Sequence, residues 1–177
     1  WVPGAVRDAI LRVSHDNLSA HGIAYISYNV FPGWRLRSVM REAMMFHGSG
    51  AQDPAEKIRL GREFLTQLSN ITNAGSAYGQ MLRQEAQSLR LQEDYYVTHE
   101  YLETNNEPCY FSDFQKRAGL FNLTYLTECD LQLSIAETFG AETGQLLRAL
   151  SGNRLDRMEQ YIDFLTGRTF RQTLLIR

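Results

Sequence analysis

The balance of helical and strand-like patterns is the feature that most limits the fold of this chain. Apolar residues recur at helical spacing over residues 6–18, and His21-Gly22 then provides a typical helix end. Residues 23–28 follow as a short run that favours a buried strand. A helix, a glycine and a buried strand form half of an αβ unit, so we expect the partners of this strand to be absent from this chain.

Helical periodicity dominates the rest of the sequence. Asp53 followed by Pro54 is a typical helix start, and the segment 112–115 has the form of a capping box. Residues 123–127 form another short β-favouring run. The sequence therefore predicts a mainly α fold with few strands, and its helical patterns cover residues 34–46, 54–71, 78–91, 95–103, 112–120, 135–150 and 154–165.

Composition and missing motifs exclude several classes of function. The formal net charge of −2 does not indicate a broad basic surface for nucleic acid, and no apolar run reaches the roughly 20 residues of a membrane-spanning helix. Two cysteines and four scattered histidines do not have metal-ligand spacing. No glycine-rich phosphate loop follows a strand. We therefore predict no catalytic residue, no metal and no cofactor site in this chain, and a cytoplasmic location.

Three groups of residues have both a structural and a functional interpretation. Arg35, Arg37 and Arg41 either form a solvated surface or steer an anionic segment. The aromatic residues between 95 and 114 either fill a core or line a groove for a peptide. The carboxylates between 93 and 103 fit a solvated helix face better than an acid–base pair.

Three longer stretches carry a family resemblance. Residues 25–34 (YISYNVFPGW) resemble a strand-and-turn segment late in a group of bacterial class I methyltransferases. Residues 99–111 (HEYLETNNEPCYF) resemble part of the methyltransferase regulatory domain that follows it. Residues 163–175 (DFLTGRTFRQTLL) resemble the end of that domain. Their order and spacing match the family along essentially the whole chain.

This resemblance implies a division into two domains. Residues 1–34 would be the C-terminal remnant of a Rossmann-like methyltransferase domain that binds S-adenosylmethionine, and residues 35–177 the regulatory domain. The glycine-rich cofactor motif would lie ahead of this chain. The implied partners are the N-terminal methyltransferase domain of the same parent protein and a protein substrate, because relatives include protein-lysine methyltransferases of bacterial outer-membrane proteins.

The resemblance also suggests two sets of site residues. The turn after residue 29 leaves the carboxyl end of a strand, where open α/β sheets place ligands, so Tyr28, Asn29 and Trp34 are expected to border the acceptor pocket. The alternative is that the turn and Trp34 serve packing alone. Arg168 and Arg171 are interpreted either as cations that end a helix or as part of an interaction surface.

The predicted function is regulation or substrate recognition within a methyltransferase, without turnover by this chain alone. Turnover requires the cofactor to be held in line with the acceptor. Two alternatives remain open at this point: a winged-helix-like module that binds protein or nucleic acid, and a dimerisation domain.

Overall fold

The computed structural model describes residues 2–177 and confirms a mainly α chain with one small sheet. Residue 1 of the predicted first segment lies outside the described residues. The helices are Gly4–Asn17 (α1), Gly33–His47 (α2), Pro54–Ile71 (α3), Ala77–Leu91 (α4), Asp94–Val97 (α5), Phe111–Gly119 (α6), Ala141–Ser151 (α7) and Leu155–Thr166 (α8). The strands are Ala24–Asn29 (β1), Thr124–Glu128 (β2) and Phe170–Ile176 (β3).

The described residues form two compact units. One contains residues 35–106 and is called the helical unit; the other contains residues 2–34 and 107–177 and is called the sheet unit. The first division falls at residue 34, where the predicted domain boundary also lies. Residues 107–177 nevertheless group with residues 2–34, through the sheet that the two segments share. The assignment of residues 1–34 to a catalytic domain stays a prediction.

The helical unit is built by helices that follow one another in the chain. Asp53 caps α3 by accepting a hydrogen bond from the Ala55 amide at 3.3 Å, as predicted, and Ser76 caps α4 in the same manner through the Gly79 amide at 3.0 Å. After α5 the helix continues as a π-helical turn over Thr98–Leu102. The buried apolar core of this unit consists of Met40, Met44, Ile58, Leu65, Leu82, Ala86, Leu89, Val97 and Tyr101.

The sheet unit contains a three-stranded antiparallel sheet in the order β1-β3-β2. The expectation that the first strand has no partner within this chain is wrong, because β1 pairs with β3 along six residues, from Ala24↔Leu175 to Asn29↔Phe170. β3 was missed because Arg168–Arg171 was interpreted as the charged end of a helix. In the structure α8 ends at Thr166, Gly167 adopts a left-handed conformation (φ 60°), and Arg171 belongs to the strand.

Two helix boundaries in the sheet unit also differ from the predictions. α6 begins at Phe111 rather than after a Ser112 cap, and the side-chain oxygen of Gln160 accepts a hydrogen bond from the Ser112 amide at 3.1 Å. The helix predicted over residues 135–150 is interrupted at Gly140, whose φ of 107° is incompatible with a helix. A 3₁₀ turn, Ala136–Phe139, precedes this break and α7 follows it.

One face of the sheet is buried. Residues directly opposite each other in neighbouring strands share a face, and the inner face carries Ala24, Ile26 and Tyr28 of β1 beside Leu175, Thr173 and Arg171 of β3. Helices α1 and α6 cover this face through Leu11, Phe111, Phe114 and Ala118. This arrangement brings the end of β1 close to the start of β3.

Candidate functional site

The candidate site lies in the sheet unit, where parts of all three family-like stretches meet. The Val30 amide donates a hydrogen bond to the Thr169 carbonyl at 2.9 Å, and the Phe31 amide donates to the Cys109 carbonyl at 3.1 Å. Val30 and Cys109 also form an isolated parallel bridge. The turn after β1 is therefore held on both sides by segments that lie about 80 and 140 residues further along the chain.

Gly33 allows the turn to lie directly against the backbone of residues 167 and 168. Its amide donates to the Arg168 carbonyl at 3.0 Å. A Cβ atom at this position would lie 2.6 Å from the same carbonyl oxygen and would also collide with the Gly167 carbonyl. Because both obstacles are backbone atoms, only glycine fits here without movement of the chain. The Pro32-Gly33 turn predicted from sequence thus has a packing requirement in the structure.

The three residues predicted at the acceptor pocket have different surroundings. Tyr28 faces the covered side of the sheet, where its ring stacks on Phe114 (centroids 3.9 Å apart) and its hydroxyl lies 3.1 Å from the Thr173 hydroxyl. Burial raises the pKa of Tyr28 well above its ordinary value. Asn29 and Trp34 are buried, at 7% and 1% exposed. The predicted role of these side chains at an acceptor pocket stays a prediction.

A buried cluster of charged side chains, which no sequence pattern predicted, lies beside Tyr28. We call the following residues the charged cluster: Glu128, Glu159, Asp163, Arg168 and Arg171. Each is 8% exposed or less. The cluster joins the end of β2, the inner side of α8, the loop after α8 and the start of β3.

Arg171 is the centre of the charged cluster. Its Nε donates to Asp163 Oδ2 at 3.0 Å, its Nη1 to Glu128 Oε1 at 2.6 Å and its Nη2 to Glu159 Oε2 at 3.0 Å. The guanidinium carbon also lies 4.2 Å from the centre of the Phe111 ring. One fully buried cation therefore joins β3 to β2 and α8, and it rests on α6.

The hydrogen bonds extend from the charged cluster to β1. The Thr173 hydroxyl donates to Glu128 Oε1 at 2.8 Å and lies next to the Tyr28 hydroxyl. The other oxygen of Glu128 accepts the Gln172 amide at 2.9 Å. Tyr28 is thus connected to Arg171 through Thr173 and Glu128.

The charges of the cluster do not balance. Three carboxylates and two guanidinium groups have a formal sum of −1 when all are ionised. Burial raises the pKa of Asp163 to about 6, against the opposing effect of Arg171 and Arg168. For Arg171, burial favours loss of the proton, but the nearby Asp163 and Glu128 carboxylates outweigh it and raise the pKa. The cluster is therefore able to take up one proton slightly below neutral pH.

Arg168 and Arg171 are 8% and 0% exposed. Arg168 Nε lies 3.2 Å from Asp163, and its Nη2 donates to the Leu133 carbonyl at 2.7 Å. Both guanidinium groups face the interior of the sheet unit. Their predicted use as an interaction surface stays a prediction.

A weak signal for the charged cluster was present in the sequence. Glu159 and Asp163 are four residues apart, so they lie on one side of α8, and the buried Met158 and Ile162 immediately precede them. Carboxylates so close to the apolar side of a helix indicate a buried cationic partner. The position of that partner, Arg171, depended on recognising β3.

The Cys109 thiol lies in an environment that limits its reactivity. Burial raises the pKa of the Cys109 thiol to about 11, which leaves little thiolate at neutral pH. Within residues 2–177, no three His, Cys, Asp or Glu side chains are grouped so that they could hold a metal ion. None of the helices in the same range combines the length and apolar character needed to cross a membrane.

Comparison with known proteins identifies a family and its relatives. Residues 93–177 match the model of a family described as a predicted methyltransferase regulatory domain. An uncharacterized protein of Rickettsia prowazekii is 38% identical over 99% of this chain and 32% of its own length. A second uncharacterized protein of that organism is 37% identical over 67% of this chain and 48% of its own length.

A solved structure matches the whole chain. PKMT2 from Rickettsia typhi in complex with AdoHcy superposes with a TM-score of 0.85 and 34% sequence identity, covering 100% of this chain and 33% of PKMT2. The chain therefore spans about a third to a half of the length of these relatives.

Proposed function

Since residues 93–177 of this chain belong to the predicted methyltransferase regulatory domain family, we propose that the chain is the regulatory and substrate-recognition part of a longer S-adenosylmethionine-dependent methyltransferase, the parent enzyme. In this proposal the parent enzyme methylates a protein side chain. The cofactor and its glycine-rich motif belong to the methyltransferase domain that precedes residues 35–177, of which residues 1–34 are the end. In this proposal the chain alone does not catalyse methyl transfer.

The observation that carries the proposal is the match of the whole chain to one third of PKMT2, which was solved with AdoHcy. AdoHcy is what remains of S-adenosylmethionine after its methyl group is transferred. The absence of a glycine-rich phosphate loop from this sequence agrees with a cofactor site in the other two thirds.

Within the parent enzyme, we assign the turn after β1 to the border of the acceptor pocket. This turn is held by three backbone hydrogen bonds and the bridge to Cys109 described above, and a fixed position is what substrate orientation requires. Asn29 is the residue to test. Substitution of Tyr28 or Trp34 would also remove packing contacts, so a change in KM could not be assigned to the acceptor. Asn29→Ala is expected to raise KM for the acceptor while the affinity for S-adenosylmethionine is unchanged.

The first experiment is calorimetric titration of S-adenosylmethionine into this chain and, separately, into the parent enzyme. We expect heat of binding with the parent enzyme alone. Comparable binding to this chain would place a cofactor site within residues 1–177 and would contradict the proposed division. Absence of binding to both proteins would contradict the methyltransferase assignment itself.

A second experiment tests the acceptor border. Methyl transfer is measured with parent enzyme carrying Asn29→Ala, beside a control with Asn70→Ala, which changes an exposed residue of α3. If Asn29→Ala changes acceptor KM no more than the control does, residues 28–34 serve packing alone.

A further inference from the structure

A surface cavity of about 240 Å³ lies in the sheet unit, between the 3₁₀ turn that precedes α7 and the start of α8. Its floor is apolar and comes from Ala136 and Met158, which are 4% and 7% exposed. Ile135 and Leu155 add apolar walls and are 48% and 50% exposed. At roughly 30 Å³ for each water molecule, this volume has room for a ligand of about eight to ten non-hydrogen atoms.

The break in the helical pattern at Gly140 brings a carboxylate to this cavity. Because α7 begins only after Gly140, the 3₁₀ turn before it packs against α7. Gly144 allows the contact, since a Cβ atom there would lie 3.3 Å from the Glu137 Cα atom. The Glu137 carboxylate accepts a hydrogen bond from Arg148 Nε at 2.7 Å, and this bond lowers the pKa of Glu137. Glu137 is therefore ionised at neutral pH.

Two guanidinium groups also line the cavity, and each keeps a donor for a ligand. Arg148 contacts Glu137 through Nε and Nη2. Arg154 contacts Asp156 through the same two atoms, at 3.1 and 2.7 Å. These bonds use one edge of each guanidinium and leave the third nitrogen, Nη1, to donate elsewhere. Both ion pairs are largely exposed, so a ligand reaches them from solvent.

The charges and the floor of the cavity together select one class of ligand. A purely anionic molecule would face the Glu137 carboxylate, and a purely cationic one would face the two guanidinium groups. A zwitterion pairs with both signs, while the apolar floor requires an apolar group on the same molecule. An α-amino acid with a branched apolar side chain combines these three features in about nine non-hydrogen atoms, which agrees with the volume of the cavity.

We propose that this cavity binds a free α-amino acid with an apolar side chain. The carboxylate of the ligand pairs with Arg148 and Arg154, in the charge-assisted manner typical of guanidinium groups. Its ammonium group pairs with Glu137, and its side chain lies on Ala136 and Met158. The site is built from residues 134–158 of this chain, so its existence does not depend on methyl transfer by the parent enzyme.

Helix α8 connects the cavity with the charged cluster. Met158 of the floor is followed directly by Glu159, whose carboxylate accepts a hydrogen bond from Arg171 Nη2 at 3.0 Å. A ligand that binds only the folded form stabilises it. An amino acid in this cavity therefore stabilises the start of the helix that holds the buried arginine, which makes the site a place where the sheet unit responds to a small molecule.

Calorimetric titration of L-leucine into the intact parent enzyme tests the site. The expected Kd lies between about 10 μM and 1 mM, an ordinary affinity for a ligand of this size. D-leucine is expected to bind at least about tenfold more weakly, because the mirror image places only two of the three groups correctly. The same loss is expected for 4-methylpentanoate, which lacks the ammonium group, and for 3-methylbutylamine, which lacks the carboxylate.

Two results of this titration would overturn the proposal. One is the absence of saturable L-leucine binding up to about 10 mM. The other is equal binding of L-leucine and any of the three analogues, because the ligand would then not be held by both charges and the apolar floor. Binding is measured without turnover, so selective L-leucine binding in a protein without methyl transfer would support the site while contradicting the proposed function.

A pair of matched variants and a methyl resonance test the location. Arg154→Gln is expected to weaken L-leucine binding about tenfold, because it removes one partner of the carboxylate. Arg157→Gln, at an exposed position of α8 that does not line the cavity, is expected to leave the affinity unchanged. In methyl NMR, L-leucine is expected to shift the Met158 resonance and not that of Met40 in the helical unit. Equal effects of the two variants, or an unchanged Met158 resonance at saturation, would overturn the proposal.

Discussion

The helical unit and the sheet unit are stabilised in different ways. In the helical unit the buried core is apolar, and it comes from helices that are neighbours in the chain. Its described ion pairs include exposed ones such as Arg59–Glu63 and a partly buried one, Arg37–Glu85, but none of them is as deeply buried as those of Arg171. In the sheet unit a fully buried arginine holds three carboxylates, and hydrogen bonds such as that between Tyr28 and Thr173 join residues 145 positions apart.

This difference has consequences for how each unit tolerates change. An apolar core accepts side chains of similar volume at small cost, because its contacts have no required direction. A buried ionic network fails when one partner is removed, because the remaining charges stay unpaired in a medium of low polarity. We therefore expect substitutions at the charged cluster to affect the sheet unit sharply and the helical unit little.

The largest effect is expected from Arg171→Ala. This change leaves Glu128, Glu159 and Asp163 without their shared cation, and loss of one partner of a buried ion pair costs about 3–5 kcal/mol of unfolding free energy. The loss is measured by urea unfolding, with amide exchange as the probe that reports on each unit separately. Arg59→Ala in the helical unit removes an exposed pair and is expected to cost less than about 1 kcal/mol. Equal costs for the two variants would contradict the comparison.

The second-largest effect is expected to be a dependence of the unfolding free energy on pH, through the protonation of Asp163. The pKa of Asp163 is about 6 in the folded chain against 3.8 as its ordinary value, so the folded state binds the proton more tightly. The stabilisation from this group is fully present below about pH 4 and is lost as the pH rises through 6. The expected loss is up to about 3 kcal/mol relative to Asp163→Asn, whose side chain does not titrate.

The measurement is the unfolding free energy of both proteins at several values between pH 4 and pH 7. The difference between them is informative, because carboxylates elsewhere affect both proteins equally. A difference that stays constant over this range would mean that Asp163 remains ionised throughout, with Arg168 and Arg171 compensating its burial. The charged cluster would then be a fixed structural element and not a proton-binding one.

Much of the helical unit could be predicted from sequence because its signals are local. The Asp53-Pro54 start predicted α3, and periodicity predicted α4 within one residue at its start. α5 and the π-helical turn were predicted as one helix, because a single extra residue per turn leaves no clear mark on a short apolar pattern. The positions of these helices follow from residues that are close together in the chain.

The centre of the sheet unit could not be predicted in the same way. β3 alternates Arg171, Thr173 and Leu175 on its buried face, so two of its three inner residues are polar and the strand does not have the usual apolar alternation. Its polar residues are satisfied by side chains from other elements, namely Glu128, Glu159, Asp163 and Tyr28. The resemblance to a family located this stretch, but the pairing of β1 with β3 and the charged cluster depended on the three-dimensional structure.

A smaller effect is expected from Gly33→Ala. The added methyl group would collide with the carbonyl groups of Gly167 and Arg168, and crowding of this kind costs about 1–3 kcal/mol. Gly50→Ala in the helical unit has no atom within 4 Å of the new Cβ, so stability is expected to stay the same or rise by up to about 1 kcal/mol. Thermal unfolding of the two variants is the measurement. A harmless Gly33→Ala would show that the turn after β1 moves freely.

The smallest effect is expected from Tyr28→Phe. The substitution keeps the stacking on Phe114 and removes only the hydroxyl next to Thr173, which is worth about 1 kcal/mol. Tyr95→Phe, on a residue of the helical unit that is 77% exposed, is the matched control and is expected to be neutral. A double-mutant cycle with Thr173→Val then isolates the coupling between the two hydroxyls. If that coupling is zero, Tyr28 is not part of the network that reaches Arg171, and β1 is attached to the sheet unit by its backbone and apolar contacts alone.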